Sequence, residues 1–394
     1  MTRESMRSKV AVAGVGQSVY YKHGKSPDAE AVLALKAILA ACEDAGVDPR
    51  DIDGFASYSN DRNEGLRLAG ALGIKELRFS NMVWGGGGGG GAAAVANAAA
   101  AIHAGLAETV VVFRALAQGQ FHRFGQAAGA AQVPGPYGFL YGYGLLSPAT
   151  HYAAKVIRFM HDHHVEQSAL RAVALAAYHH AQHNPAAVMY GRPLDEKTYD
   201  ESRWIVEPFH LYDCCQENDG AAAIILTSAE RARDLRTTPA YLLGAAQGAG
   251  HRTDAPAFNG PDFPSSNFTT LARRVYEMAG VGPKDVDVVQ SYENFTGGVV
   301  MSLVEHGFAG ADEANEFFTF DNLRADGGVL PLNTSGGNLA EAYIHGMSLF
   351  VEAVRQLRGE SVNQVPGAKI SMVTSGPMAS PVSNAIFGTE ETLS

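Results

Sequence analysis

Apolar positions along the chain gather in short, fully hydrophobic runs, with stretches between them in which they recur every three or four residues. Uninterrupted runs suit strands buried on both faces, and the longer spacing suits helices that cover them. Val10-Ala-Val-Ala-Gly-Val-Gly16 predicts a buried strand that ends in a turn. Ser26-Pro-Asp-Ala-Glu30 predicts a helix that runs to about Ala45 and stops at Gly46, and Val47 to Tyr58 continues as a turn and a strand. Arg78 to Trp84 reads as a further strand and its exit. Seven glycines follow, Gly85 to Gly91, and then a helix of small residues from Ala92 to Gly105. A helix made mostly of alanine is useful where neighbours pack very close to it, so this one is expected to be central and buried. Further buried strands are expected at Glu108–Phe113, Asp219–Thr227, Val288–Phe295 and Ala368–Thr374.

The pattern is used twice. Ala45-Gly-Val-Asp-Pro-Arg-Asp-Ile-Asp53 matches Ala279-Gly-Val-Gly-Pro-Lys-Asp-Val-Asp287, an offset of 234. The same offset pairs Tyr58 with Tyr292, Asn60 with Asn294, and Gly14 and Gly16 with Gly248 and Gly250. Self-similarity at this length implies two duplicated α/β halves, residues 1–235 and 236–394. Residues from 115 to about 215 have no counterpart and read as an inserted lobe of helices and loops. That lobe is rich in Tyr, Gly and His, as in Pro136-Tyr-Gly-Phe-Leu-Tyr-Gly-Tyr-Gly144 and His179-His-Ala-Gln-His183.

Composition narrows the function. A formal charge of −11 disfavours nucleic acid and anionic membrane surfaces as partners. Three cysteines, Cys42, Cys214 and Cys215, supply neither a disulfide framework nor a CxxC metal site. The N-terminal MTRESMRSKVAVAG lacks the apolar core of a signal peptide, and the uncharged run Trp84–Gly105 is too weakly apolar to span a bilayer, so a cytoplasmic protein is expected. Gly14 and Gly16 do not open a dinucleotide fingerprint, because Val19 stands at its third glycine. No Gly-Lys-Ser/Thr closes the glycine run, which excludes a P-loop. His179 and His183 lie one helical turn apart but read as a solvated or ion-paired face, and no metal site is expected. Cys214-Cys215 read as core thiols.

Asn333-Thr-Ser-Gly-Gly337 predicts a polar turn, and the spacing from Leu339 through Leu349, Val351, Val354 and Leu357 predicts a helix. Such a turn carries Glu341, Tyr343 and His345 to a helix start, where backbone dipoles favour developing negative charge. Backbone N–H groups of the glycine run offer a second cradle for an anion.

In order of parts the chain resembles the thiolase superfamily in its sterol-carrier-protein branch. The resemblance implies a thiolase fold, in which two βαβαβ halves form a layered αβαβα core. It sets Gly85–Gly91 where the family carries its nucleophilic Cys, Tyr292-Glu-Asn-Phe295 on an HDCF-type motif, and Tyr343 on the His of a Gly-His-Pro motif. Thr374-Ser-Gly376 falls on a Cys-x-Gly loop without its Cys. Glu341-Ala-Tyr-Ile-His-Gly-Met347, Arg203-Trp-Ile-Val-Glu-Pro208 and Asp213-Cys-Cys-Gln216 resemble one subfamily, the thiolase-like "lipid-transfer" aldolases of bacterial steroid side-chain degradation. That likeness implies retro-aldol cleavage of a β-hydroxyacyl-CoA such as a 17-hydroxy steroid 20-carboxyl-CoA, giving a ketosteroid and propionyl-CoA or acetyl-CoA. It implies a homodimer core joined by a partner with an OB-fold and a zinc ribbon, often fused to a hydratase, in an α2β2 heterotetramer. No cofactor is implied beyond the CoA of the substrate, with zinc in the partner alone.

The residues suit this chemistry. A thiolase needs a thiolate, whereas a retro-aldolase needs a base for the hydroxyl proton, an oxyanion hole and an acid for the enolate. The expected catalytic groups are Tyr292, Tyr343 and His345, with Tyr343 as base, assisted by helix dipoles, by His345 or by a water-linked relay. Gly85, Gly86, Gly87, Gly88, Asn294 and Gly376 are the expected oxyanion and substrate contacts. The alternatives are a thiolase-type acyl transferase with an atypical site and a non-catalytic lipid-carrier subunit.

Overall fold

The computed structural model describes residues 5–121, 137–250, 260 and 262–393. Pro136 of the Tyr/Gly-rich run and residues 1–4 lie outside them. The first half contributes β1 (Val10–Gln17), α1 (Glu30–Ala45), β2 (Gly54–Tyr58), β3 (Phe79–Val83), α2 (Gly91–His103), β4 (Thr109–Ala117) and, after the inserted lobe, β5 (Asn218–Ser228). Within the lobe lie α3 (Pro148–His163) and α4 (Gln167–Ala181). The second half contributes β6 (Ala240–Gly248), α5 (Thr269–Ala279), β7 (Val288–Ser291), α6 (Thr296–Glu305), α7 (Met347–Arg358), β8 (Ile370–Ser375) and β9 (Val382–Gly388).

These strands form one mixed sheet in the order β7-β8-β9-β6-β1-β5-β4-β2-β3, with the short strand Tyr21–Lys22 added against β5. The halves join where β1 pairs antiparallel with β6, Ala11 opposite Tyr241 and Val12 opposite Ala240. Alternation along β1 shows the layering. Ala11 and Ala13 face a core with α1 and α5, whereas Val10 and Val12 face a second core built on α2 and α7. Two inner helices thus lie between the sheet halves and other helices cover the outer faces, which is the expected αβαβα layering. Among the described residues no helix is long and apolar enough to cross a membrane.

The small-residue helix α2 is central, as expected. Ala92, Ala93, Ala94, Ala98 and Ala99 are buried on it. Its first N–H groups would be orphaned in the interior. Ser375 Oγ accepts from Ala92 N at 3.2 Å and Ser383 Oγ from Ala93 N at 3.0 Å, so the second half caps a helix of the first.

Three expectations are corrected. The helix predicted from Leu339 begins at Met347; Gly337–Glu341 form a π-helical turn, and Ala342 is extended (φ −166°, ψ 139°). The apolar spacing there reflects burial on all sides rather than one helical face, since every residue from Leu330 to Phe350 is buried. Strand β9 was not foreseen, because its run is broken by Ser383 and Asn384. The glycine pairing also shifts. A Cβ on Gly14 would fall 2.7 Å from Ala45 Cβ, and one on Gly244 3.1 Å from Ala279 Cβ. Gly14 therefore matches Gly244, an offset of 230, while the helix ends Ala45 and Ala279 keep 234.

Candidate active site

Sheet and turn deliver the two expected tyrosines to one point. Tyr292 follows the last residue of β7, and its N–H donates to the Thr374 carbonyl of β8 at 2.9 Å, so strand pairing sets its ring. Tyr343 lies on the extended stretch beyond the π-helical turn, where its N–H donates to Asn218 Oδ1 at 2.7 Å. The phenol oxygens are 2.9 Å apart, with Tyr292 donating and Tyr343 accepting. The His345 ring lies 5.6 Å from that of Tyr343 and 6.3 Å from that of Tyr292. All three border a cavity of about 790 Å³, together with Gly87, Gly88 and Asn294. This is the size of a small-molecule site.

Gly85, Gly86 and Gly376 do not border it. Gly86 lies against Pro381, and a Cβ on Gly376 would fall 2.1 Å from Gly89 N, so these residues shape the glycine loop from behind. Asn294 is at the wall, but its amide is engaged: Nδ2 donates to the Pro377 carbonyl at 2.8 Å and Oδ1 accepts from Phe295 N at 2.9 Å. It clasps loops together.

Burial sets the protonation states. Loss of solvent pushes both phenols well above the ordinary tyrosine value. The neighbouring Tyr343 raises Tyr292 further, while the hydrogen bond from Tyr292 and the Arg114 charge draw Tyr343 back down. Burial first, and then Arg114, hold His345 well below the usual imidazole value, so it is neutral. Arg114 Nε donates to its Nδ1 at 3.2 Å, and that nitrogen is not placed to help Tyr343 as a base.

Cys214 and Cys215 are not simple core thiols, since both border the cavity. Burial pushes Cys214 up to about 12 and Cys215 well above its ordinary value, so both are protonated thiols. The segment they begin organises the site. Cys215 N donates to the Asn294 carbonyl at 3.1 Å and Gln216 N to the Asn338 carbonyl at 3.1 Å, which ties the Tyr292 loop to the π-helical turn. Asp213, just before, accepts from Tyr199 Oη at 2.8 Å and from Thr296 Oγ1, joining the lobe to α6. Burial raises its carboxyl to about 6.

Sequence reasoning missed Asn218 and Arg114. The signal for Arg114 was present, a lone charge inside the otherwise uncharged, fully buried strand Thr109–Ala117. His179 and His183 stack edge to face at 5.1 Å, and among the described residues no group of three or more His, Cys, Asp or Glu could hold a metal ion.

Residues 249–389 match the family described as Thiolase C-terminal domain-like. The chain is 38% identical over 391 residues to the 17-hydroxy-3-oxo-4-pregnene-20-carboxyl-CoA lyase of Mycobacterium tuberculosis, covering 97% of this chain and 100% of the relative. It is 38% identical over 392 residues to the steroid side-chain-cleaving aldolase of Thermomonospora curvata, covering 96% and 98%. Among solved structures, a chain of the Ltp2-ChsH2(DUF35) aldolase superposes with a TM-score of 0.90 at 36% identity, covering 98% of this chain and 99% of that one.

Proposed function

This chain belongs to the thiolase superfamily, in the branch of the steroid side-chain-cleaving aldolases, and from that premise we propose that it cleaves a steroid-CoA thioester by a retro-aldol reaction. The observation that carries the reading is the Tyr292–Tyr343 contact at 2.9 Å in a cavity whose thiols are protonated. A retro-aldol step moves one proton from the β-hydroxyl to the α-carbon. As the hydroxyl loses its proton, its oxygen becomes a carbonyl and the bond between the α- and β-carbons breaks. That electron pair passes into the thioester enolate, and protonation of the α-carbon releases propionyl-CoA or acetyl-CoA.

Two adjacent phenols suit this transfer. A phenol pushed well above its ordinary value is a poor standing base, so a free Tyr343 phenolate is not the working state. Instead Tyr343 accepts the hydroxyl proton while passing its own to Tyr292, and Tyr292 delivers its proton to the enolate carbon. Hydroxyl protons rotate freely between the two directions of this bond. Neither phenol needs to persist as an anion, and no cofactor is required. Backbone N–H groups of Gly87 and Gly88 stabilise the enolate oxygen. Lys22 and Arg203, both exposed and bordering the same cavity, supply positive charge for an anionic CoA ester in a chain of net charge −11.

The neighbouring solved assembly pairs an aldolase chain with a DUF35 protein, which supports a partner of that kind here. We take it to carry an OB-fold and a zinc ribbon, often fused to a hydratase. The end of the sheet supports a homodimer core within an α2β2 assembly: β3 is the edge strand, Met82 on it is 38% exposed, and Trp84 just beyond is 86% exposed.

The test is turnover of a steroidal β-hydroxyacyl-CoA by the purified chain, with and without a DUF35 partner. Formation of a ketosteroid and a short acyl-CoA in equal amounts is expected. Acyl transfer to free CoA would instead mark a thiolase, and binding without turnover a carrier.

A further inference from the structure

We propose that the buried Asp61–Arg114 ion pair is a positioning device that locks His345 as its Nε2–H tautomer, making the imidazole a neutral hydrogen-bond donor to the thioester oxygen of the substrate. The donor role rests on the lyase reading; the lock does not.

Arg114 is among the largest fully buried side chains of the protein. It lies within β4, a strand in which all nine residues are buried, where an unpaired charge would be strongly disfavoured. Asp61 balances it, with Arg114 Nη1 2.7 Å from Asp61 Oδ2. Asp61 is itself held by Asn63 N at 2.8 Å, Asn63 Nδ2 at 2.8 Å and Ser57 Oγ at 3.1 Å. A second arm of the guanidinium donates to the Ser59 carbonyl at 3.2 Å. The third, Nε, donates to His345 Nδ1 at 3.2 Å. A guanidinium cannot accept a hydrogen bond, so this contact requires a lone pair on Nδ1 and places the imidazole proton on Nε2.

The backbone of His345 is fixed by independent contacts. Its φ of 54° is unusual for a residue with a side chain, and Tyr58 Oη donates to its carbonyl at 2.8 Å. The Nε2 side of the ring faces the glycine loop, where a Cβ on Gly87 would lie 3.8 Å from Nε2. Ring and loop border the same cavity as the tyrosine pair. Among the described residues, the titratable groups around the imidazole include Arg114, Tyr58, Tyr292 and Tyr343, with Asp61 and Glu30 behind the guanidinium. Among the described residues, the permanent charge against the ring is that of Arg114, and its positive sign opposes an imidazolium. A neutral donor beside the thioester stabilises the enolate oxygen without giving up its proton, and it leaves the proton relay to the two phenols.

The lock is read directly by long-range proton–nitrogen NMR of the wild-type full chain labelled with 15N-histidine, with His345 assigned by loss of its signals in His345→Gln. The expected spectrum between pH 6 and 8 shows an unprotonated Nδ1 and a protonated Nε2. An Nδ1–H tautomer or an imidazolium in that range overturns the lock. Asp61→Asn and Arg114→Gln should give mixed tautomers; if either destabilises the fold, the wild-type spectrum still decides. The donor role is read on whatever thioester the wild type cleaves. His345→Phe should lower kcat by about 10²–10³ with KM changed less than about threefold, as for the loss of an oxyanion donor. A kcat within about threefold of wild type overturns that role. A locked tautomer in a protein that cleaves no steroid thioester would count against the lyase reading and leave the lock standing.

Discussion

A Cβ placed on Gly88 would sit 2.2 Å from the ring of Tyr292 and 2.5 Å from its hydroxyl oxygen. No heavy atoms pack that closely, so Gly88→Ala must displace the tyrosine that the sheet has positioned. We expect Gly88→Ala to abolish turnover while the protein still folds. Gly70→Ala is the control, since it lies within a helix with open space around it and should stabilise by about 0.5–1 kcal/mol. Turnover and thermal melts of the two variants check both outcomes.

Thiol chemistry should be dispensable. Burial pushes Cys42 and Cys214 up to about 12 and Cys215 well above its ordinary value, so none is a thiolate at neutral pH. The triple alanine variant should keep turnover within about tenfold, the allowance reflecting lost bulk at the cavity wall, whereas removing a true nucleophile costs on the order of 10⁶. Complete inactivity of the folded triple variant would argue for covalent catalysis.

Stability should fall as the solution turns alkaline. Burial raises the Glu293 and Glu341 carboxyls from 4.5 to about 8 each, and it raises Glu352 as well. Between those values the folded protein holds protons that the unfolded chain has released. Their contribution is fully present below 4.5, shrinks as pH rises, and is lost as pH passes 8, at up to about 1.4 kcal/mol per pH unit for each group. Glu293→Gln keeps an acceptor for Asn338 N, which donates to Glu293 Oε2 at 2.9 Å, and should flatten the decline. Denaturant midpoints at pH 6, 7, 8 and 9 would show it; equal slopes in variant and wild type would refute the assignment.

Much of this protein is legible in its sequence because its strands are buried on both faces, so that runs such as Val10–Val15 and Thr109–Phe113 carry no competing pattern. The duplicated text led to the right second strands because Tyr58 and Tyr292 both stand where a strand of each half ends. It misled at Gly248, since similarity in text does not record which glycine meets a helix. The tyrosine pair was visible through its place in a family pattern, but its 2.9 Å contact depends on Asn218, far away in sequence. Around Tyr343 burial is complete, and periodicity then says nothing about where a helix begins. The cavity position of Cys214 and Cys215 was hidden for a related reason, because buried thiols look alike whether they face a core or a substrate.

The relay between the phenols is tested most directly by kcat for Tyr343→Phe, Tyr292→Phe and the double variant, measured on a steroidal β-hydroxyacyl-CoA that the wild type cleaves, with the partner present. Each single change removes one hydroxyl and leaves the ring, so packing is kept. Each should lower kcat by about 10²–10⁴, with Tyr343→Phe the more severe and ligand binding retained. The double variant should fall little further than the worse single one, because a proton relay fails once either link is gone. Near-normal turnover in both single variants, or losses that multiply in the double, would contradict it.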